Sequence, residues 1–149
     1  PFTAMLIGKG CGSVLAKELI SLCRYRMEKA RQCLVTAKST MIDGDYATSS
    51  NRSYYAIFHA MRAVLALDSL DFKKQSAVIG KFRELYIKTG VFDTSYSRVI
   101  GEAFDLRGDC DYEDFCLVTR REVETQIENA AQFLEAVQNF LDRKISASS

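Results

Sequence analysis

Residues 45–68 read DYATSSNRSYYAIFHAMRAVLALD, and their pattern predicts one helix with two separate non-solvent faces. One face is broad and apolar, as the core of a helical bundle requires, and consists of Tyr54, Ile57, Phe58, Met61, Val64 and Leu65. The opposite side carries Arg52, Tyr55 and His59 beside small residues, which are Ala56, Ala63 and Ala66. Such a side lets another helix approach closely and leaves room for a ligand. Because a simple bundle offers it no partner, it predicts that two copies of the chain pair there.

The rest of the chain repeats apolar residues at helical spacing. Further helices are expected from about 20 to 42, from about 78 to 86, from about 95 to 106 and from about 116 to 141. Gly44 is expected to take the left-handed conformation that ends the first helix, and Asp45 to cap the next one. The polar stretch 107–114 is expected to bend or break the chain. With one proline, at position 1, and no convincing strand, the sequence predicts an all-α protein, an antiparallel four- to five-helix up-and-down bundle.

The length of 149 residues corresponds to one domain. Residues 1–18, with three glycines and no helical period, are expected to form a loose N-terminal arm or an extension added to the protein. Residues 19–145 are expected to form a single helical bundle domain. Residues 146–149 are expected to be a frayed tail.

The net charge is +1, so any site for a polyanion must be a local patch rather than a property of the whole surface. The five cysteines are odd in number and lack paired CxxC spacing, which argues against a disulfide framework or a zinc knuckle and favours reduced thiols. No apolar run approaches the roughly 18 to 20 residues of a membrane span. The sequence therefore predicts a cytoplasmic protein without a membrane partner.

His59 is the only imidazole of the chain, and this limits the possible chemistry. The sequence contains no HExxH, P-loop, GxSxG or GxGxxG motif, so zincins, nucleoside triphosphatases, hydrolases with a nucleophile elbow and dinucleotide-binding enzymes have no support. A ferritin-like centre needs a histidine from each of two helices. We expect no metal and no cofactor.

Arg52 and His59 remain, seven residues apart, which is about two helical turns and roughly 10 Å along one face. A phosphate would fit between them. Arginine offers a planar fork to phosphate oxygens, and histidine can accept or donate a proton at cellular pH. This pair suits metal-free RNA cleavage, in which the ribose 2′-hydroxyl attacks the adjacent phosphorus. A two-fold dimer would supply two histidines, one as base and one as acid.

The same residues also have an ordinary interpretation. A single arginine and a single histidine on a helix are most often a surface cation and a partly buried, hydrogen-bonded imidazole. The other basic residues are expected to be solvated charges or a local basic rim, and they are Arg62, Lys73-Lys74 and Arg120-Arg121.

The run Asn51-Arg52-Ser53-Tyr54-Tyr55-Ala56-Ile57-Phe58-His59-Ala60 resembles the signature helix of the HEPN domain family, in which four to six residues separate an arginine from a histidine. Here six residues intervene. Two further stretches, Ser76–Gly90 and Phe104–Tyr112, resemble the small stand-alone bacterial and archaeal branch of that family. The chain differs from the family pattern at Ser53, where active members often have Asn, Asp or His, and at Gln75, where the branch often has a histidine.

The resemblance implies a helical bundle that forms a homodimer through the motif helices. Many members are metal-independent ribonucleases that act as toxins beside a minimal nucleotidyltransferase antitoxin. By position, Arg52 would be the catalytic phosphate-stabilising cation and His59 the catalytic acid–base group. The expected substrate-binding residues along the same helix are Asn51, Ser53, Tyr55 and Arg62.

Two alternatives to an RNA endonuclease stay open. The chain could be a non-catalytic module that binds a nucleotide or docks a nucleotidyltransferase, with the same arginine holding a phosphate. It could also be a purely structural dimerisation bundle.

Overall fold

The structure is a computed structural model that describes residues 16–112 and 117–148, the side chains of residues 111 and 112 excepted. These two ranges contain five α-helices and no strand, which confirms the predicted all-α fold. The helices are α1 (Lys17–Ile42), α2 (Tyr46–Ala66), α3 (Gln75–Phe82), α4 (Ser95–Tyr112) and α5 (Arg120–Ser148), and a π-helical turn, Arg83–Ile87, follows α3.

The turn between α1 and α2 follows the sequence prediction. Gly44 has a φ of +84°, a left-handed conformation in which glycine carries no steric penalty. The Asp45 carboxylate then accepts a hydrogen bond from the Thr48 backbone N–H at 3.2 Å and caps α2. This tight connection makes α1 and α2 antiparallel neighbours.

Several predicted boundaries differ from the structure. α1 begins at Lys17, inside the predicted arm, whose residues 1–15 lie outside the described ranges. α4 continues through the polar stretch to Tyr112, because Arg107 remains packed on the rings of Tyr54 and Phe104, 5.2 and 5.0 Å from their centroids.

The last helix continues into residues 146–149, which were expected to form a frayed tail. α5 runs to Ser148, whose side chain is buried and whose hydroxyl donates to the Ile145 carbonyl at 3.0 Å. This bond and the burial keep the last turn helical, while residue 149 lies outside the described ranges.

α2 is the central helix and packs against each of the other four. Its closest neighbour is α1, and the Ser49 hydroxyl of α2 donates to the Ala37 carbonyl of α1 at 2.6 Å. At the other end of the pair, the Cys23 thiol donates to the Ala63 carbonyl at 3.1 Å. The residues between these bonds are small on both helices, which permits the close approach, and they include Ala30, Cys33, Ala56 and Ala60.

The core beneath α2 is aromatic. Phe82 of α3 stacks on Tyr86 and contacts Phe92 and Phe133, with ring centroids 5.5 to 5.7 Å apart. In the π-helical turn the Lys88 N–H donates to the Arg83 carbonyl at 2.8 Å. The turn accommodates both Tyr86 and Ile87 in the core. No helix within the described ranges is long and apolar enough to cross a membrane.

Candidate functional site

Beyond its first turn, α2 has five residues that the fold leaves incompletely covered. Between Ser49 and Ala66 these five residues are half-buried, and all of the remaining residues are buried. At 100° per residue they occupy a sector of about 100° on the helix. They are Asn51, Arg52, Tyr55, His59 and Arg62, and we call them the uncovered stripe.

The alanines expected to flank this stripe on an open dimer face are covered within the chain. Ala56, Ala63 and Ala66 are almost fully buried, and α1 bonds directly to the Ala63 carbonyl. The premise that a simple bundle leaves this alanine side without a partner is therefore wrong. α1 is that partner, because its own small residues match the alanines. A contact between two copies on this side of α2 would have to use other residues than these alanines.

Arg52 is held in a fixed orientation by its neighbours on α2. Its Nε and Nη2 donate to the Asn51 side-chain oxygen at 3.1 and 2.7 Å, and its guanidinium lies 5.1 Å from the centroid of the Tyr55 ring. Among the described residues no carboxylate forms an ion pair with Arg52. Its charge is therefore oriented and available to an anion.

Arg62, at the other end of the stripe, shares one carboxylate with a second arginine. Its Nη2 lies 3.1 Å from Asp71, and Arg26 of α1 reaches the same carboxylate at 3.2 Å. Arg26 is buried and also donates to the Arg62 backbone carbonyl at 2.9 Å. Two guanidinium groups on one carboxylate leave a net positive charge beside His59.

His59 lies between the two arginines, and one of its ring nitrogens lacks, within the described part of the chain, the hydrogen bond of an ordinary structural histidine. Its Nδ1 is buried and has no partner among the described residues. Burial, followed by the positive charges of Lys29, Arg62, Arg52 and Arg26, lowers the pKa of His59 to about 4. At neutral pH the imidazole is uncharged and is able to accept a proton.

Ser53 does not belong to this surface. It is fully buried on another side of α2, and its hydroxyl has no hydrogen-bond partner in the described part of the chain. Helical geometry explains the difference, because Ser53 lies 100° from Arg52 around the axis, away from the rest of the stripe. The structure thus places Asn51, Tyr55 and Arg62 on the same surface as Arg52 and His59. Ser53 is not on that surface.

Four residues of the site were not identified from the sequence. Arg26 and Lys29 project from α1, Asp71 lies before α3, and Gln75 begins α3 and donates to the Tyr55 hydroxyl at 2.9 Å. The helical spacing of Arg26 and Lys29 was a usable signal for a shared face. Asp71 gave no signal, and Gln75 was noted only as a departure from the family pattern, because only packing brings either residue to α2.

The thiols follow the sequence prediction in part. Cys23 and Cys33 are buried free cysteines, and burial raises the pKa of each, that of Cys23 to about 12. Cys110 is disulfide-bonded, so the expectation of reduced thiols is wrong for that residue. Cys11 and Cys116 lie outside the described ranges.

The chain matches known proteins over most of its length. A family model described as the HEPN domain matches residues 23–140. A UPF0332 protein of Thermotoga maritima is 29% identical over 118 residues, covering 79% of this chain and 89% of that protein. A protein of Methanocaldococcus jannaschii named as a putative toxin is 30% identical over 129 residues, covering 87% of this chain and 96% of that protein. A second protein of that organism, also named as a putative toxin, is 27% identical over 118 residues, covering 79% of this chain and 80% of that protein.

Proposed function

The chain belongs to the HEPN domain family, and on that premise we propose that it is a metal-independent RNA endonuclease and the toxin of a toxin–antitoxin pair. Its active site would be shared by the two subunits of a homodimer, and its antitoxin would be a minimal nucleotidyltransferase. The toxin names of two relatives support this reading. Because the substrate would be cellular RNA, we place its action in the cytoplasm.

One observation carries the proposal: an oriented, unpaired guanidinium and an uncharged imidazole lie on the same uncovered stripe. Arg52 has no carboxylate partner among the described residues, although a scaffold would gain by neutralising it. His59 has a buried ring nitrogen without a partner and a pKa lowered to about 4. An anion bound here would offset both the charge of Arg52 and the unpartnered ring nitrogen of His59.

The chemistry follows from these two groups. The neutral His59 imidazole of one subunit accepts the proton of the ribose 2′-hydroxyl, whose oxygen then forms a bond to the adjacent phosphorus. The bond from phosphorus to the 5′-oxygen breaks, and that oxygen takes a proton from the second imidazole. Arg52 stabilises the charge on the phosphate oxygens during this exchange.

The second imidazole must be protonated although its pKa in the free chain is about 4. The bound phosphate supplies the reason, because its negative charge favours the protonated imidazole and so opposes both the burial and the four cations that lower this pKa. Substrate binding would therefore raise the pKa of His59 toward neutrality. The acid would form only when RNA is present.

A homodimer is proposed because one chain has one histidine and the reaction needs two proton-transfer groups. The stripe is the side of α2 that the helices of its own chain leave open, so two copies related by a two-fold axis would bring both pairs to one phosphate. The positive charges of two facing stripes would be offset by the RNA backbone.

The runner-up is a non-catalytic module that binds a nucleotide or docks a nucleotidyltransferase. The cluster of Arg26, Lys29, Arg52 and Arg62 with one carboxylate favours it as well, since it would hold any phosphate group. Calorimetry with nucleoside mono- and triphosphates separates the two: binding without RNA turnover supports this module.

The proposed function is tested by RNA cleavage in the presence of a metal chelator. We expect His59→Gln to lower the cleavage rate by about 10²- to 10⁴-fold and Arg52→Ala by about 10²- to 10³-fold, because each removes a group that acts on the reacting atoms. A matched control is Arg98→Ala, which removes an exposed arginine of α4 and should leave the rate unchanged.

Equal cleavage by the wild type and His59→Gln would overturn the proposal. Sedimentation of the wild type tests the composite site separately. A chain that stays monomeric at micromolar concentration, with and without RNA, would exclude a site shared by two subunits.

A further inference from the structure

Two adjacent tyrosines of α2 are joined through the first residue of α3. The Tyr54 hydroxyl donates to the Gln75 side-chain oxygen at 2.8 Å, and the Gln75 side-chain nitrogen donates to the Tyr55 hydroxyl at 2.9 Å. Tyr54 is fully buried, whereas Tyr55 is half-buried and belongs to the uncovered stripe. Gln75 thus links the core to the site.

Burial fixes the direction of this chain of hydrogen bonds. The Tyr54 hydroxyl has no other acceptor among the described residues, so its proton needs the Gln75 carbonyl oxygen. The reverse orientation of the amide would leave a buried hydroxyl proton unpaired. The amide nitrogen must therefore face Tyr55, whose hydroxyl oxygen is the acceptor.

This arrangement decides what the Tyr55 hydroxyl offers to a ligand. Because its oxygen accepts from Gln75, its own proton points elsewhere and remains available as a donor. The Tyr55 ring lies under the Arg52 guanidinium, and its centroid is 6.1 Å from that of the His59 ring. A donor in this position complements the Arg52 guanidinium beside it, since phosphate oxygens accept hydrogen bonds from both groups.

We propose that Gln75 is a positioning residue which, held by Tyr54, keeps the Tyr55 hydroxyl oriented to donate to a phosphate oxygen bound beside Arg52 and His59. The inference rests on the proposed function in that it takes RNA as the ligand. It adds a residue from α3 to a site otherwise built by α1, α2 and Asp71. It also assigns a role to Tyr54, a core residue, which fixes the direction of the hydrogen bonds that reach the site.

The test is a double-mutant cycle with Gln75→Leu, Tyr55→Phe and the two combined. A 2′-O-methyl RNA oligonucleotide, which lacks the attacking hydroxyl, is the binding probe, and the unmodified RNA is the cleavage substrate. We expect each single variant to weaken binding of the probe roughly tenfold, the effect of losing one hydrogen bond to a charged group. The combined variant is expected to bind no more weakly than Tyr55→Phe alone, because Gln75 acts through that hydroxyl.

A spectroscopic measurement reports the orientation without any ligand. The Raman intensity ratio of the tyrosine Fermi doublet distinguishes a hydroxyl that accepts from one that donates. The difference spectrum between the wild type and Tyr55→Phe should show an accepting hydroxyl, and the same difference in the Gln75→Leu background should lose it. Gln75→Met is the second variant if thermal unfolding shows that the leucine variant is poorly folded.

The outcomes separate this inference from the proposed function. Wild-type binding of the probe by Gln75→Leu, or losses that multiply in the combined variant, would overturn the role of Gln75 while cleavage by the wild type still supported a nuclease. Binding without any cleavage would overturn the nuclease, and a non-multiplying cycle would still support Gln75. A wild type that neither binds nor cleaves RNA would overturn both.

Discussion

The two sides of α2 differ in burial and in charge. We call Ser53, Ala56, Ile57 and Ala60 the packed side; all four residues are fully buried against other helices. On the uncovered stripe, the guanidinium of Arg52 lacks a counter-ion among the described residues, and a ring nitrogen of His59 lacks a hydrogen bond. The packed side stabilises the bundle, whereas the stripe keeps charges and a polar atom that would be satisfied by a ligand.

This contrast predicts that the two sides can be damaged independently. Substitutions on the packed side should change the free energy of unfolding and leave the cleavage rate per folded molecule unchanged. Substitutions on the stripe should lower the cleavage rate and leave the free energy of unfolding near the wild-type value at pH 7.5. A substitution that changes only the quantity predicted for its side supports this comparison. A substitution that changes both the free energy of unfolding and the cleavage rate per folded molecule would contradict it.

The largest effect on stability is expected from Ile57→Ala. The side chain is fully buried, so its removal should lower the free energy of unfolding by about 2–4 kcal/mol through lost burial and a residual cavity. Urea denaturation measures this loss, and His59→Gln, two residues away, serves as the comparison that should stay near the wild type at pH 7.5. A cleavage rate per folded molecule that fell with Ile57→Ala would show that the two sides are coupled.

A smaller effect is expected from pH, and it isolates His59. Its pKa is lowered to about 4 in the folded chain from about 6.5, so the unfolded chain binds the proton first as the pH falls. Stability should therefore decrease between about pH 6.5 and pH 4. Allowing for the partial exposure of the ring, the decrease is on the order of 1–2 kcal/mol.

The measurement compares urea midpoints of the wild type and His59→Gln at pH 7.5 and pH 4.5. The variant keeps all carboxylates, so subtracting its pH dependence removes their contribution. Phosphate should reduce the difference, because an anion at the stripe favours the protonated imidazole. Identical pH dependence in the two proteins would contradict a lowered pKa for His59.

The smallest effect is expected from Ser53→Ala on the packed side. The variant removes a buried hydroxyl that has no partner among the described residues and replaces serine by a better helix former. Stability should rise by up to about 1 kcal/mol, and the cleavage rate should not change. A loss of RNA binding in this variant would restore Ser53 to the substrate-binding residues predicted from the sequence.

The sequence predicted the helices because their signals are local. Apolar spacing, the left-handed Gly44 and the Asp45 cap each involve residues within a few positions of one another. The extent of α4 and α5 was misjudged because it depends in part on distant residues. Arg107 of α4 packs on the ring of Tyr54 as well as on the nearby Phe104, and Ser148 of α5 is buried. No local signal reports the contact with Tyr54 or the burial of Ser148.

The same distinction holds for the site. The alignment of Arg52, Tyr55, His59 and Arg62 on one face was predictable, since it needs only the helical repeat. The exclusion of Ser53 follows from the same repeat and was missed because the residue was chosen from its place in a family motif. That α1 covers the alanines could not be read from α2 alone.

The amino-acid order alone established an all-α chain and an arginine–histidine pair on one face of a helix, because hydrogen bonds and side-chain directions within a helix depend on near neighbours. Only the packed structure decided which face stays open, how far the pKa of His59 falls and how Gln75 meets Tyr55. Those properties arise between segments far apart in the chain. They depend on burial and on charges that no single helix contains.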